Sequence, residues 1–254
     1  MPNLLDNFED YERIIEEHEN GNSIDLKINS SPTCLLALIQ YTNQNNLNIN
    51  GKANILEDNK SEMPFKKIEN KSKSFSFTME YYKNLDRNFI GKTPLLFILG
   101  EIYNNILDHS KFTTAYALSK KYQNMMDIVF IDDGISIPES LNRTGYCFKN
   151  DCEAIYNAIN GKSEDIYNDD LRGSGLNSTI NLINKGNGGS VLIASRNGLF
   201  HIDEYGKKFK ELKDNYIQGT LVSMRLNKCI VKDFYDYMRY MKIWFNGGLH
   251  FEKL

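Results

Sequence analysis

Apolar positions recur at helical spacing at Leu4, Leu5, Phe8, Tyr11, Ile14 and Ile15, which predicts a helix over residues 4–17, ended by Gly21. Ser23 to Ile28 alternates like a strand. Ser31-Pro32 then opens a second helix through Leu35, Leu36, Leu38 and Ile39, with proline in the first turn, where its missing N–H costs nothing. Leu47 to Ile55 reads as a short strand or hairpin around Asn50-Gly51. Residues 56–72 are polar and predict a loop, and residues 73–90 fit no single period.

From residue 91 the pattern sharpens. A helix is expected over Pro94–His109, with Leu95, Leu99, Ile102 and Ile106 on one face. Strands are expected at Thr113–Leu118 and Asp127–Ile131. Ser136 to Arg172 reads as a long irregular stretch with one helix near Glu153–Ile159. A further helix runs from about Ser174 to Lys185, followed by strands at Ser190–Ala194, Leu199–Asp203 and Thr220–Leu226. A last amphipathic helix covers Lys232–Phe245, whose Phe234, Met238, Met241 and Phe245 suit a core face better than a dimer seam. No repeat and no low-complexity segment interrupts the chain.

Composition narrows the class. The 254 residues are 41% hydrophobic and include 15 Tyr and 14 Phe, enough for a sizeable core. A net charge of −3 with mixed signs gives no basic field for nucleic acid and no polybasic run for a membrane surface. Cys34, Cys147, Cys152 and Cys229 match no zinc spacing and read as reduced thiols of a cytoplasmic protein. Residues 1–20 are acidic without an apolar signal core, and no apolar run is long enough to span a bilayer.

The candidate chemistry lies on one helix and two glycine turns. Glu101, Asn105, Asp108 and His109 fall at i, i+4, i+7 and i+8, one polar stripe beside an apolar face. Asn105 offers an amide oxygen to Mg²⁺, a hard cation that prefers oxygen, and Glu101 one turn earlier can accept a proton from water or a hydroxyl. In IVFIDDGISIP, Asp132 stands at a strand end, able to accept a hydrogen bond from an exocyclic amine, and Gly134 lets the backbone approach a flat ring. In LRGSGLNSTINLI, Gly173 and Gly175 precede a helix whose first N–H groups suit phosphate. No Gly-Lys-Ser/Thr follows, so this is not a Walker loop. Gly219-Thr220 opens a late strand.

The order of these pieces across residues 91–226 resembles the GHKL ATPase superfamily of DNA gyrase, the large heat-shock chaperone, histidine kinases and MutL. Its nearest flavour is that of the stand-alone anti-sigma-factor serine kinases, through the ILDHS that ends the helix. The resemblance implies an α+β fold of Bergerat type, a two-layer α/β sandwich with a mixed, mostly antiparallel sheet and helices on one face. Residues 1–90 would be an N-terminal α/β appendage or partner-docking surface, and residues 91–254 the ATP-binding domain.

By the same resemblance Glu101 is the general base and Asn105 the Mg²⁺ ligand. Asp132 holds the adenine amino group with Gly134 beside the ring, and Thr220 reaches adenine through water. Gly173, Ser174 and Gly175 line the phosphates, Leu176 joins the cofactor-binding set, and Asp108 and His109 stand at the pocket edge. Residues 138–171 would be an ATP lid. The family's Asp-x-Gly-x-Gly carries Ser136 here, and its Gly-x-Gly-Leu-Gly carries Asn177. The expected function is Mg²⁺-dependent ATP binding with hydrolysis through Glu101. The alternatives are a serine/threonine protein kinase and a non-hydrolysing module that switches a partner surface with ATP and ADP. Oligomeric state stays open, a homodimer included.

Overall fold

The computed structural model describes residues 2–24, 30–47, 65–68, 74–161, 175–212 and 217–239. The hairpin expected around Asn50-Gly51 and most of the strand expected at residues 23–28 lie outside these residues. Seven strands form one sheet: β1 (Phe65–Ile68), β2 (Ala115–Lys121), β3 (Met125–Asp132), β4 (Ser190–Arg196), β5 (Gly198–Asp203), β6 (Gly206–Glu211) and β7 (Ile217–Asn227). Their order is β1-β2-β3-β7-β4-β5-β6, and every neighbouring pair is antiparallel.

The central strands read as nearly continuous apolar runs because both faces of the sheet are covered. Alternation sorts their side chains. Ile128 and Phe130 of β3, with Ile193, Val222 and Met224, enter a core shared with α3 (Ser74–Lys83), α4 (Lys92–Asn105), α6 (Asp151–Ile159) and α7 (Gly175–Asn181). Val129 and Ile131, with Leu192, Ala194 and Leu221, enter a second core shared with α1 (Leu4–Glu19) and α2 (Pro32–Gln44).

Within residues 91–254 the helices α4, α6 and α7 share one face of the sheet, and the N-terminal segment covers the other with α1 and α2. The architecture is a three-layer α/β/α sandwich, because the apolar faces of α1 and α2 (Leu4, Phe8, Tyr11, Leu35, Leu36, Ile39) need a sheet face to bury them. The first 90 residues also supply β1, paired from Phe65↔Leu118 to Ile68↔Ala115. Part of the expected polar loop at 56–72 is thus a strand.

Both N-terminal helices are capped as their sequences require. The Asn3 side chain accepts from Asp6 N–H while Asp6 accepts from Asn3 N–H, and Ser31 caps α2 ahead of Pro32. All four cysteines are free. Among the described residues no helix is long and apolar enough to cross a membrane.

The stretch expected to be irregular with one helix carries two, α5 (Ile137–Arg143) and α6, with Leu141, Ala154, Ile155 and Ile159 buried. Asn150 caps α6, Asp151 accepts from Asn197 N–H at 3.0 Å, and α6 packs on β4, β5 and β6. An apolar face at i, i+3 and i+7 docks this segment into the body. Residues 162–171 lie outside the described set. Of the expected C-terminal helix, residues 234–239 are helical and the rest is likewise outside.

Candidate functional site

Helix α4 begins after Gly91, whose φ of 103° only glycine adopts readily. Its expected apolar face is buried at Leu95, Leu99 and Ile102. The helix does not keep one period to its end. Residues Ile106–Ser110 form a π-helical turn, and Lys111 stops it in the left-handed region at φ 50°. Such turns insert a residue and re-aim the side chains beyond it, often at functional sites. Glu101, Asn105 and His109 are half-buried, whereas Asp108 is exposed, so the stripe read at 3.6 residues per turn breaks at Ile106.

The wide turn delivers Ser110 to the end of β3. Ser110 Oγ donates to Ile106 O at 2.7 Å, and Ser110 O accepts from Ile135 N–H at 2.5 Å. A Cβ at Gly134 would stand 2.0 Å from Ser110 O. The bare glycine at 134 is thus required by the helix end that packs on it.

The two aspartates of IDDG have separate tasks. Asp133 accepts from the N–H groups of Thr113 and Thr114, both at 2.8 Å, and from Thr113 Oγ1 at 2.6 Å, which closes the start of β2. Asp132 is 2% exposed and accepts from Gly134 N–H at 2.9 Å, with the Ser110 side chain also bonded to it. Among the described residues no basic side chain pairs with it. Burial pushes its carboxyl up to about 8, against the pull of the Gly134 N–H.

Asp132 and Thr220 are register partners across β3 and β7. Gly219, at φ 76°, leaves no room for a side chain: its Cβ would fall 2.2 Å from Asp132 O. Ser195 gathers this end of the site. Its Oγ donates to Gly219 O at 2.7 Å, accepts from Ile137 N–H at 3.0 Å and lies 3.2 Å from Thr220 Oγ1.

The second glycine turn meets α4. A Cβ at Gly175 would stand 1.8 Å from Glu101 Oε2, so the start of α7 and the candidate base are in direct apposition. Desolvation raises the Glu101 carboxyl above its ordinary value. Gly173 and Ser174 lie outside the described residues. Leu176 packs partly buried against the core beside α4.

The two departures from the family pattern have local reasons. Ser136 is a helix N-cap, its Oγ accepting from Glu139 N–H at 3.2 Å, so residue 136 starts α5 where the family has a glycine. Asn177 lies within α7, where its main-chain oxygen accepts from Asn181 Nδ2 at 3.0 Å. Helical backbone there needs no glycine.

Glu101 and Gly175 thus form one cluster, and Ser110, Asp132, Gly134, Gly219 and Thr220 another. Ser110 and Ser195 escaped sequence reading. Ser110 followed directly on the expected helix, but only the π turn points it at Asp132. Among the described residues no three His, Cys, Asp or Glu side chains group as a metal site. The chain matches no protein-family model, no curated protein and no solved structure.

Proposed function

We propose that the chain binds ATP with Mg²⁺ and hydrolyses it through Glu101, in a Bergerat-type fold of the GHKL kind. The observation that carries this reading is Asp132. A carboxyl this deeply buried, without a counter-cation, beside a glycine turn and opposite Thr220, keeps acceptor capacity beyond the Gly134 N–H for a further donor.

An exocyclic amine of adenine is such a donor, with the Thr220 hydroxyl beside it, held by Ser195. Asn105, one turn from Glu101, fits Mg²⁺ as a single oxygen ligand, because this ion keeps waters and takes phosphate oxygens for the rest. When bound, Mg²⁺ neutralises charge on the phosphates. Glu101 holds the proton taken from the attacking water, and desolvation raises its affinity for that proton. The start of α7, against Glu101, sets the phosphate end next to the base.

Calorimetry with ATP and ADP, with and without Mg²⁺, tests the reading. Mg²⁺-dependent ATP binding is expected, and no binding at millimolar nucleotide overturns it. Glu101→Gln should keep ATP binding and lose turnover by about 10²–10⁴-fold. Phosphate release at the wild-type rate in that variant would remove Glu101 as the base.

A further inference from the structure

Beyond the Asp132↔Thr220 pair, β3 and β7 part at Gly219. Ser195 takes the carbonyl of Gly219. The carbonyls of Asp132 and Gln218 are taken by one side chain from the opposite layer of the molecule, Gln40 of α2. Its Nε2 donates to Asp132 O at 3.0 Å and also to Gln218 O. Gln40 is 5% exposed, on a helix whose packing is carried by Leu35, Leu36, Leu38 and Ile39. A leucine or methionine would fill such a position as well, so packing does not call for an amide there. The amide is the feature that needs a reason, and a primary amide is the neutral side-chain group with two N–H donors on one nitrogen.

The side chain of Asp132 lies on the α4 face of the sheet, together with Ile128 and Phe130, while its main-chain oxygen is held from the α2 face. Gln40 therefore fixes both segments that carry the base end of the proposed site, Asp132–Gly134 and Gln218–Thr220, without touching the place a ligand would occupy. We infer that Gln40 is a positioning residue that ties helix α2 to the Asp132 acceptor and sets its aim. The ligand part of this inference rests on the ATP reading; the tether itself does not.

The test is Gln40→Met, which keeps length and apolar bulk and removes both donors. Binding of ATP, ADP and inorganic tripolyphosphate is measured by calorimetry, and amide exchange at Gly134 and Thr220 by NMR. ATP and ADP should each bind about tenfold more weakly, the loss of one to two hydrogen bonds, with tripolyphosphate unchanged. Exchange at Gly134 and Thr220 should quicken. Equal weakening of all three ligands, or none, overturns the assignment.

If the wild type binds none of the three, the ATP reading fails and exchange decides the tether. Faster exchange upholds it and unchanged exchange overturns it. Gln40→Glu gives an independent arm should the methionine variant not fold. Its carboxylate has no donor, but its protonated form has one, so its deficit against wild type, in binding or in exchange, should shrink as pH falls from 7 toward 5. A deficit that does not change with pH overturns the tether.

Discussion

Strand β3 carries a buried aspartate at each end, and the two ends are built on opposite principles. Asp127, fully buried, is the register partner of Arg225, whose Nε and Nη2 reach its two oxygens at 2.7 and 2.8 Å. Arg225 Nη1 also donates to Pro2 O at 2.6 Å, which pins the chain ahead of α1. Burial pushes the Asp127 carboxyl up and the guanidinium pulls it back. Asp132, five residues on and so on the other face, has only an N–H and a hydroxyl for company and stays raised to about 8. One residue type on one strand thus serves the fold where a cation is built in, and stays a perturbed, cation-free carboxyl where none is.

The largest effect should come from the paired end. Arg225→Met leaves Asp127 buried and alone and should cost about 3–5 kcal/mol in urea unfolding. Adding Asp127→Leu should recover most of that loss. A stable Arg225→Met protein would mean that Asp127 does not depend on its partner, and the contrast between the ends would fall.

At the other end, Asp132→Asn should cost no stability at pH 7, where the buried carboxyl itself carries a penalty, while weakening ATP by roughly tenfold to a hundredfold. A stability loss as large as that of Arg225→Met would make Asp132 a structural group.

A pH series sharpens this further. Because its proton is held more tightly in the folded chain, Asp132 contributes stability fully below the ordinary carboxylate value, 3.8, and loses it as pH rises through about 8. Wild type should therefore lose stability relative to Asp132→Asn between pH 4 and 9. A constant difference would show that the carboxyl is not perturbed.

The smallest effect concerns His201. It is fully buried with both ring nitrogens unbonded. Desolvation lowers its proton affinity; Asp203, its Nδ1 3.8 Å from a carboxylate oxygen, and Asp6 oppose that, while Lys208 and Arg225 add to it. A depressed histidine costs stability as pH falls through the unfolded value near 6.5, at no more than about 1.4 kcal/mol per pH unit. His201→Leu should narrow the gap between melting temperatures at pH 7.5 and pH 5. An unchanged gap would place the acid sensitivity elsewhere.

Elements with a countable period are the ones legible in the chain alone. The apolar faces of α1, α2, α4 and α6 and the strands β2, β3, β4, β5 and β7 were legible within a few residues. The failures share a cause. β1 (FKKI) and β6 (GKKFKE) are edge strands whose partly exposed, lysine-rich sequences carry no strand period; pairing alone makes them strands. Helix α5 (IPESLNR) is too short for a period, although Ser136-Ile137-Pro138 is a start signal that could have been read.

The candidate site divides in the same way. Glu101, Asp132 and the glycines stood out as residue types in a recognisable order. Gln40 and Ser195 are ordinary polar residues in ordinary elements, and only contacts 92 and 24 residues away in sequence give them a role.

Which segments can form helices and strands, and which side chains can do chemistry, follows from the chain alone, because periodicity, caps and functional groups are local properties. Tertiary structure decided which face of the sheet each helix covers, that Ser110 turns onto Asp132, and that of two aspartates on one strand only one meets a cation. Those outcomes depend on strand register and on burial, which are set by residues far apart along the chain.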